Sequence, residues 1–205
     1  MALAYIEKVS TNRAAFEQKV NRISANLGIQ PDWLMTVMYA ESSLNHLAEN
    51  QKSTAIGLIQ FLDSTLKNLG TTRNYLKSLT NVQQLDWVEK YFVSLGLKGK
   101  MKSVYDVYFA VFSPKYVGKP DSTVIATSGQ NVYNANKALD TDKDGRLTVL
   151  DVKTWFGKYI RSGTATETQN TIITPVAVAT VASIIYLLYR WSKNKNTTKQ
   201  TLSLS

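Results

Sequence analysis

The sequence predicts a mainly α domain followed by a C-terminal transmembrane helix. Apolar residues recur at the helical period from Ala14 to Phe109, and no run alternates with period two. From Ile172 to Tyr189 there is no charged residue, a length suited to crossing a bilayer core. A chain of 205 residues has room for one core domain and an appendage. The N-terminus, MALAYIEKVSTNR, has no long apolar core and no cleavage site, so it does not read as a secretory signal.

The first informative element is NLGIQPDWLMTVMYAES. Gly28 ends the preceding pattern, Pro31 suits a first helical turn, and Asp32 favours the positive end of the helix dipole. Leu34, Val37, Met38 and Glu41 then fall at i, i+3, i+4 and i+7, so a carboxyl group continues an apolar stripe. Two readings stay open: a frayed helix end with Glu41 in solvent, or a partly buried Glu41. In the second, desolvation and the negative end of the helix both raise its pKa, which suits a general acid. Next, STAIGLIQF carries Gly57, which permits close approach, and Gln60, which offers an amide donor and acceptor. LDSTLKNLG predicts a helix with Asp63 as N-cap and Gly70 as stop. His46, the one histidine, lies in a polar stretch and reads as a surface residue, which argues against a histidine triad or a zinc site.

Residues 140 to 151, DTDKDGRLTVLD, have the pattern of a twelve-residue EF-hand-type loop. Asp140, Asp142 and Asp144 stand at positions 1, 3 and 5, and Gly145 at the sharp turn of position 6. The Arg146 carbonyl takes position 7, Thr148 position 9 and Asp151 position 12, where Glu is commoner. The alternative is an acidic turn without an ion. Three clustered carboxylates repel without a cation, so the expectation is a structural Ca2+. Helices are expected on both sides, in NVYNANKAL and VKTWFGKYI.

Beyond residue 160 the composition turns polar, and 161–171 reads as a linker. The apolar run 172–190 is the expected transmembrane helix, and 191–205 a basic tail. Tyr186, Tyr189 and Trp191 suit an interface belt, and Arg190, Lys193, Lys195 and Lys199 follow. The positive-inside rule then places the tail in the cytoplasm and the domain on the non-cytoplasmic side of a single-pass membrane anchor. The net charge is +9, and without the four basic residues of the tail it is about +5, from 20 basic against 15 acidic side chains. A moderately basic face suits an anionic wall polymer. No helix-turn-helix, zinc pattern or interleaved basic-aromatic run points to nucleic acid. The chain has no cysteine and hence no disulfide.

Glu41-Ser42 followed by AIGLIQ, Ala55 to Gln60, resembles the soluble lytic transglycosylase family, which has a goose-type-lysozyme-like fold. That family carries a catalytic Glu before a Ser, a Gly-Leu-Met-Gln element, a Pro/Ser-Thr helix start, an acidic helix ending in Tyr-Leu, and a Tyr-Asn-Ala-Gly element. LDSTLKNLG and NVQQLDWVEKYF fill the third and fourth places. In the fifth, FAVFSPKYVGKP has Phe112 and Ser113 for Tyr and Asn, a departure that bears on the substrate contact there. An aromatic, one residue, then Pro looks like phage virion-associated members of the family.

The resemblance spans residues 20 to 160 and implies a lysozyme-like domain over 1–160, acting on peptidoglycan. It implies cleavage of the β-1,4 bond between N-acetylmuramic acid and N-acetylglucosamine, with a 1,6-anhydro product. Glu41 is then the catalytic acid that later serves as base, and Ser42, Gln60, Phe112, Tyr116 and Tyr133 are the expected substrate-site residues. Glu49 and Asp63, the other nearby acids, read as a loop residue and a cap rather than as a second catalytic carboxylate. Alternatives are a hydrolytic muramidase of the same fold, a non-catalytic cell-wall-binding protein, and a membrane-lesion protein led by the C-terminal helix. An anchored enzyme without a leader fits a bacteriophage particle containing a membrane.

Overall fold

The computed structural model describes residues 2–51 and 53–161. Helix α1 (Arg13–Leu27) buries Phe16, Val20, Ile23 and Leu27 along one side and ends at Gly28. Gly28 adopts φ 72°, and the Ile29 N–H donates back to the Ser24 carbonyl, which closes the last turn. Helix α2 (Pro31–Ser42) follows with Pro31 in its first turn. Leu34, Met35, Val37, Met38 and Ala40 are all buried, so α2 is enclosed on nearly every side. It packs against α1 and against α6 (Val104–Phe112), while α1 also packs on α5 (Asn81–Ser94).

Between α2 and α5 lie two short helices, α3 (Asp63–Asn68) and α4 (Arg73–Ser78). The expected cap at Asp63 is corrected: Asp63 is the first helical residue, Leu62 stands at the cap position, and the Asp63 N–H donates to Thr54 Oγ1. Gly70 does stop α3, at φ 78°. Helix α5 begins with a reciprocal capping box. The Gln83 N–H donates to Thr80 Oγ1, and the Thr80 N–H donates to Gln83 Oε1.

A two-stranded antiparallel pair, β1 (Val124–Thr127) and β2 (Arg146–Thr148), completes the domain with α7 (Asn131–Asn136) and α8 (Val149–Gly157). Ala126 pairs with Leu147 and Thr127 with Arg146, with a bulge between Val124 and Ala126. The pair brackets the acidic loop and leads directly into α8. At the start of the chain, Tyr5 stacks on Tyr39 of α2 with ring centroids 3.8 Å apart, and its hydroxyl donates to the Tyr159 carbonyl. The first and last described segments therefore meet beside α2.

The expected membrane anchor is corrected. Among the described residues no helix is long and apolar enough to cross a membrane. Helix α1 has 15 residues and rises about 22 Å, short of a ~30 Å hydrocarbon core. Among the described residues the fold is thus mainly helical with no membrane-spanning helix, and the single-pass, non-cytoplasmic placement is withdrawn. The run 172–190 on which that expectation rested lies outside the described residues, as do 162–171 and 191–205.

Candidate active site

Glu41 is the penultimate residue of α2, and it is 3% exposed. Among the described residues neither carboxyl oxygen has a hydrogen-bond partner. The helix end behind it is tied off, because the Ser43 N–H donates to the Tyr39 carbonyl and the Leu44 N–H to Met38. Desolvation pushes the Glu41 pKa up from 4.5 to about 8. Magnitudes explain why the acid tolerates this place. Burying Leu34, Val37 and Met38 on the same stripe contributes about 1.5–3 kcal/mol each. That outweighs the ~1–3 kcal/mol of one unpartnered neutral group, whereas an unpaired buried charge costs several kcal/mol more. The helix therefore holds Glu41 as the protonated acid at neutral pH.

Three phenols are electrostatically coupled to Glu41: Tyr91 of α5, Tyr108 of α6, and Tyr159 just after α8. Burial raises the pKa of each first, and the Glu41 charge adds to it, taking Tyr159 to about 12. All three stay neutral in the working range. The Tyr91 hydroxyl donates to the Ala110 carbonyl at 2.8 Å. Tyr108 is fully buried, and its hydroxyl has no partner among the described residues. Phe156 of α8 lies flat on Tyr108, with centroids 4.1 Å apart and planes 14° from parallel. Sequence reasoning missed these tyrosines. A signal existed for two: Gln84, Val88 and Tyr91 stand at i, i+4 and i+7, and Val104, Val107, Tyr108 and Val111 at i, i+3, i+4 and i+7. Each places a phenol on a buried stripe, as Glu41 is placed on its own.

The turn after α2 supports the site. Gly57 has φ 81°, and a Cβ there would lie 2.4 Å from Gln84 Oε1. The Gln84 side chain fills that space because it accepts from the Leu58 N–H at 2.7 Å and donates to the His46 and Leu76 carbonyls. The bridge between Ile56 and Phe61 closes the turn. His46 is half-buried rather than a freely exposed residue, and burial lowers its pKa.

The expected substrate-site residues divide. Ser42 is buried, and its Oγ reaches the Met38 and Leu58 carbonyls, each at 3.0 Å, so it fastens α2 to the turn. Gln60 has φ 52° and donates through Nε2 to the Ala48 and Gly57 carbonyls, each at 3.1 Å. It also lines a shallow cleft with Phe61, Leu62, Tyr91 and Val111. Phe112 and Tyr116, the expected groove walls, are both buried. Phe112 is 2% exposed and packs on Tyr108 and Phe109, and Tyr116 packs edge-on against Phe109. Tyr133 is buried at the acidic loop, where its hydroxyl donates to Asp140 Oδ2 at 2.6 Å. Glu49 is held below its usual pKa by hydrogen bonds first from Lys77 and then from Arg73, and Arg73 also lies 3.9 Å from Asp63. Both acids are thus engaged with cations, in contrast to Glu41.

In the acidic loop, oxygens of Asp140, Asp142 and Asp144 lie within 4.8 Å of one another. Asp140 is 6% exposed, and its Oδ2 accepts from Tyr133 and from the Gly145 N–H, while Oδ1 has no partner among the described residues. The Arg146 N–H donates to Asp144 Oδ1. At positions 9 and 12 of the loop, Thr148 and Asp151 bond each other, and Asp151 also bonds Thr141. Thr148 Oγ1 donates to Asp151 Oδ2 and accepts from the Asp151 N–H, while Asp151 Oδ1 accepts from the Thr141 N–H and hydroxyl. Thr148 and Asp151 are closed on each other as the N-terminal capping box of α8.

Residues 18–89 match the family model of the Transglycosylase SLT domain. The matched stretch contains Glu41, the Gly57–Gln60 turn and Gln84, and the match supports a lytic-transglycosylase-like, peptidoglycan-cleaving function. No curated protein matches the chain.

Proposed function

We propose that the domain cleaves peptidoglycan glycan strands with Glu41 as the single catalytic carboxyl. The observation that carries this reading is a buried carboxyl with no hydrogen-bond partner among the described residues, inside the segment that matches the transglycosylase model. Protonated at neutral pH, Glu41 gives its proton to the glycosidic oxygen as the C1–O bond breaks. The carboxylate then takes the proton of the muramic 6-hydroxyl as that oxygen bonds to C1, which closes the 1,6-anhydro ring and leaves Glu41 protonated again. No second acid is needed for this cycle, which agrees with Glu49 and Asp63 being engaged by cations. Ser42, Gln60 and Gln84 position Glu41 by fixing the turn against α2 and α5.

Digestion of purified walls by the full chain, with mass spectrometry of the products, tests this. Anhydro-muramic ends from the wild type and their loss in Glu41→Gln are the expected result. Reducing-end sugars would replace it with hydrolysis, and no clearing by either protein would leave a wall-binding protein.

A further inference from the structure

The cleft beside Gln60 continues along the seam between α3 and α5. Thr65 of α3 and Tyr91 of α5 line the cleft itself. One turn beyond Thr65 stands Leu69, whose carbonyl accepts from Lys90 Nζ at 2.8 Å. One turn before Tyr91, on the same face of α5 and about 6 Å along its axis, stands Trp87. Lys90 Nζ lies 4.7 Å from the centre of the Trp87 ring. Tyr75 of α4 meets Trp87 edge-on, with centroids 6.0 Å apart and planes at 81°. Lys90 is exposed, Trp87 half-buried and Tyr75 51% exposed, so this chain of contacts runs along the surface. Its far end is fixed in place. The Tyr75 N–H donates to the Thr72 cap of α4, and the neighbouring Leu76 is fully buried.

A sugar ring has an apolar C–H face and a rim of hydroxyl and amide groups. Two rings at a right angle form a corner that receives the apolar face. An ammonium group has three N–H donors, and Leu69 takes one from Lys90, which leaves two for the polar rim. An apolar peptide would use the rings and leave those donors unmatched. We propose that Tyr75, Trp87 and Lys90 form an outlying glycan site, which holds sugars of the same strand at a distance from the bond in the cleft. The site favours long strands over short ones, because only a long strand reaches both places. It rests on the proposed glycan substrate and not on cleavage by Glu41.

The test is calorimetric titration of the full chain with the dimer and the hexamer of β-1,4-linked N-acetylglucosamine, in a Glu41→Gln background that keeps the probes intact. The hexamer is expected to bind at least about tenfold more tightly than the dimer. Tyr75→Ala is expected to weaken the hexamer about fivefold, the loss of one aromatic contact, and to leave the dimer unchanged. Tyr75→Phe, which keeps the ring, is expected to bind as the parent does. The melting temperature of each variant is expected to move by less than about 4 °C, since the position is exposed. Unchanged hexamer binding in Tyr75→Ala, or an equal loss for both probes, would overturn the outlying site. So would a concentration-dependent dimer of the chain that Tyr75→Ala abolishes, which would give this face to a second copy. A wild type that binds the hexamer through Tyr75 yet leaves walls intact would overturn the proposed cleavage and keep this site. Wall clearing with hexamer binding indifferent to Tyr75 would do the reverse.

Discussion

Replacing Glu41 by glutamine tests two properties at once. As catalyst, Glu41→Gln is expected to lose ~10²–10⁴ in rate, the usual contribution of general acid–base catalysis, read as the initial rate of wall clearing. As a buried acid it affects stability with a definite sign. Its folded pKa, about 8, lies above the ordinary 4.5, so the folded state binds the proton more tightly. The stabilising contribution is complete below pH 4.5 and is lost as pH rises through about 8. At about 1.4 kcal/mol per pH unit this amounts to a few kcal/mol. Urea unfolding at pH 5 and pH 9 is therefore expected to show Glu41→Gln gaining on the wild type at the higher pH. An equal difference at both would mean that Glu41 titrates as an exposed acid.

At the scale of elements, the turn at Gly57 depends on the side chain of Gln84 across the fold. Gly57→Ala places a Cβ in the left-handed region and against Gln84 Oε1, 2.4 Å away. Backbone strain and a displaced hydrogen bond to Leu58 together are expected to cost about 2–4 kcal/mol in denaturant unfolding. Gln84→Ala removes the obstacle, so the double variant is expected to be less destabilised than the sum of the singles. Additive losses would show that backbone strain alone acts at Gly57.

The same elements show what the sequence could reveal. The helices α1, α2, α5 and α6 were legible because each carries a stripe long enough to establish a period, and the stripe of α2 left Glu41 either buried or at a frayed end, of which the structure shows the first. Helix α4 and the β1–β2 pair, only three to six residues each, are too short for that signal. The burial of Phe112 and Tyr116 was not legible from the resemblance, which carries the order of elements and not their exposure. For Phe112 the cue to burial lay in α6, whose buried positions surround the helix. Tyr159 had no local signal, because its place beside Glu41 depends on Tyr39 and Tyr5, which are distant in sequence.

Across the whole molecule, the N-terminal segment is part of the site's support. Tyr5 is 5% exposed, stacks on Tyr39, donates to Tyr159, and has the Arg161 guanidinium 3.8 Å from its ring centroid. Tyr5→Ala is expected to cost about 3 kcal/mol through lost packing. Glu7→Gln, which removes the exposed partner of Arg161, is expected to change stability by less than ~0.5 kcal/mol. Equilibrium unfolding separates the two, and a larger effect at Glu7 would reverse the assignment of packing over charge.

The meeting of Tyr5 with Tyr159 spans 154 positions of sequence. It makes the domain, in topological terms, nearly a closed ring. A ring can be opened elsewhere. Joining residue 161 to residue 2 by a short glycine-serine linker, with new ends between Lys119 and Pro120 in an exposed loop, is expected to give a circular permutant with the same helical circular dichroism and cooperative melt. Where the backbone is opened would then matter less to this architecture than the meeting of Tyr5 with Tyr159.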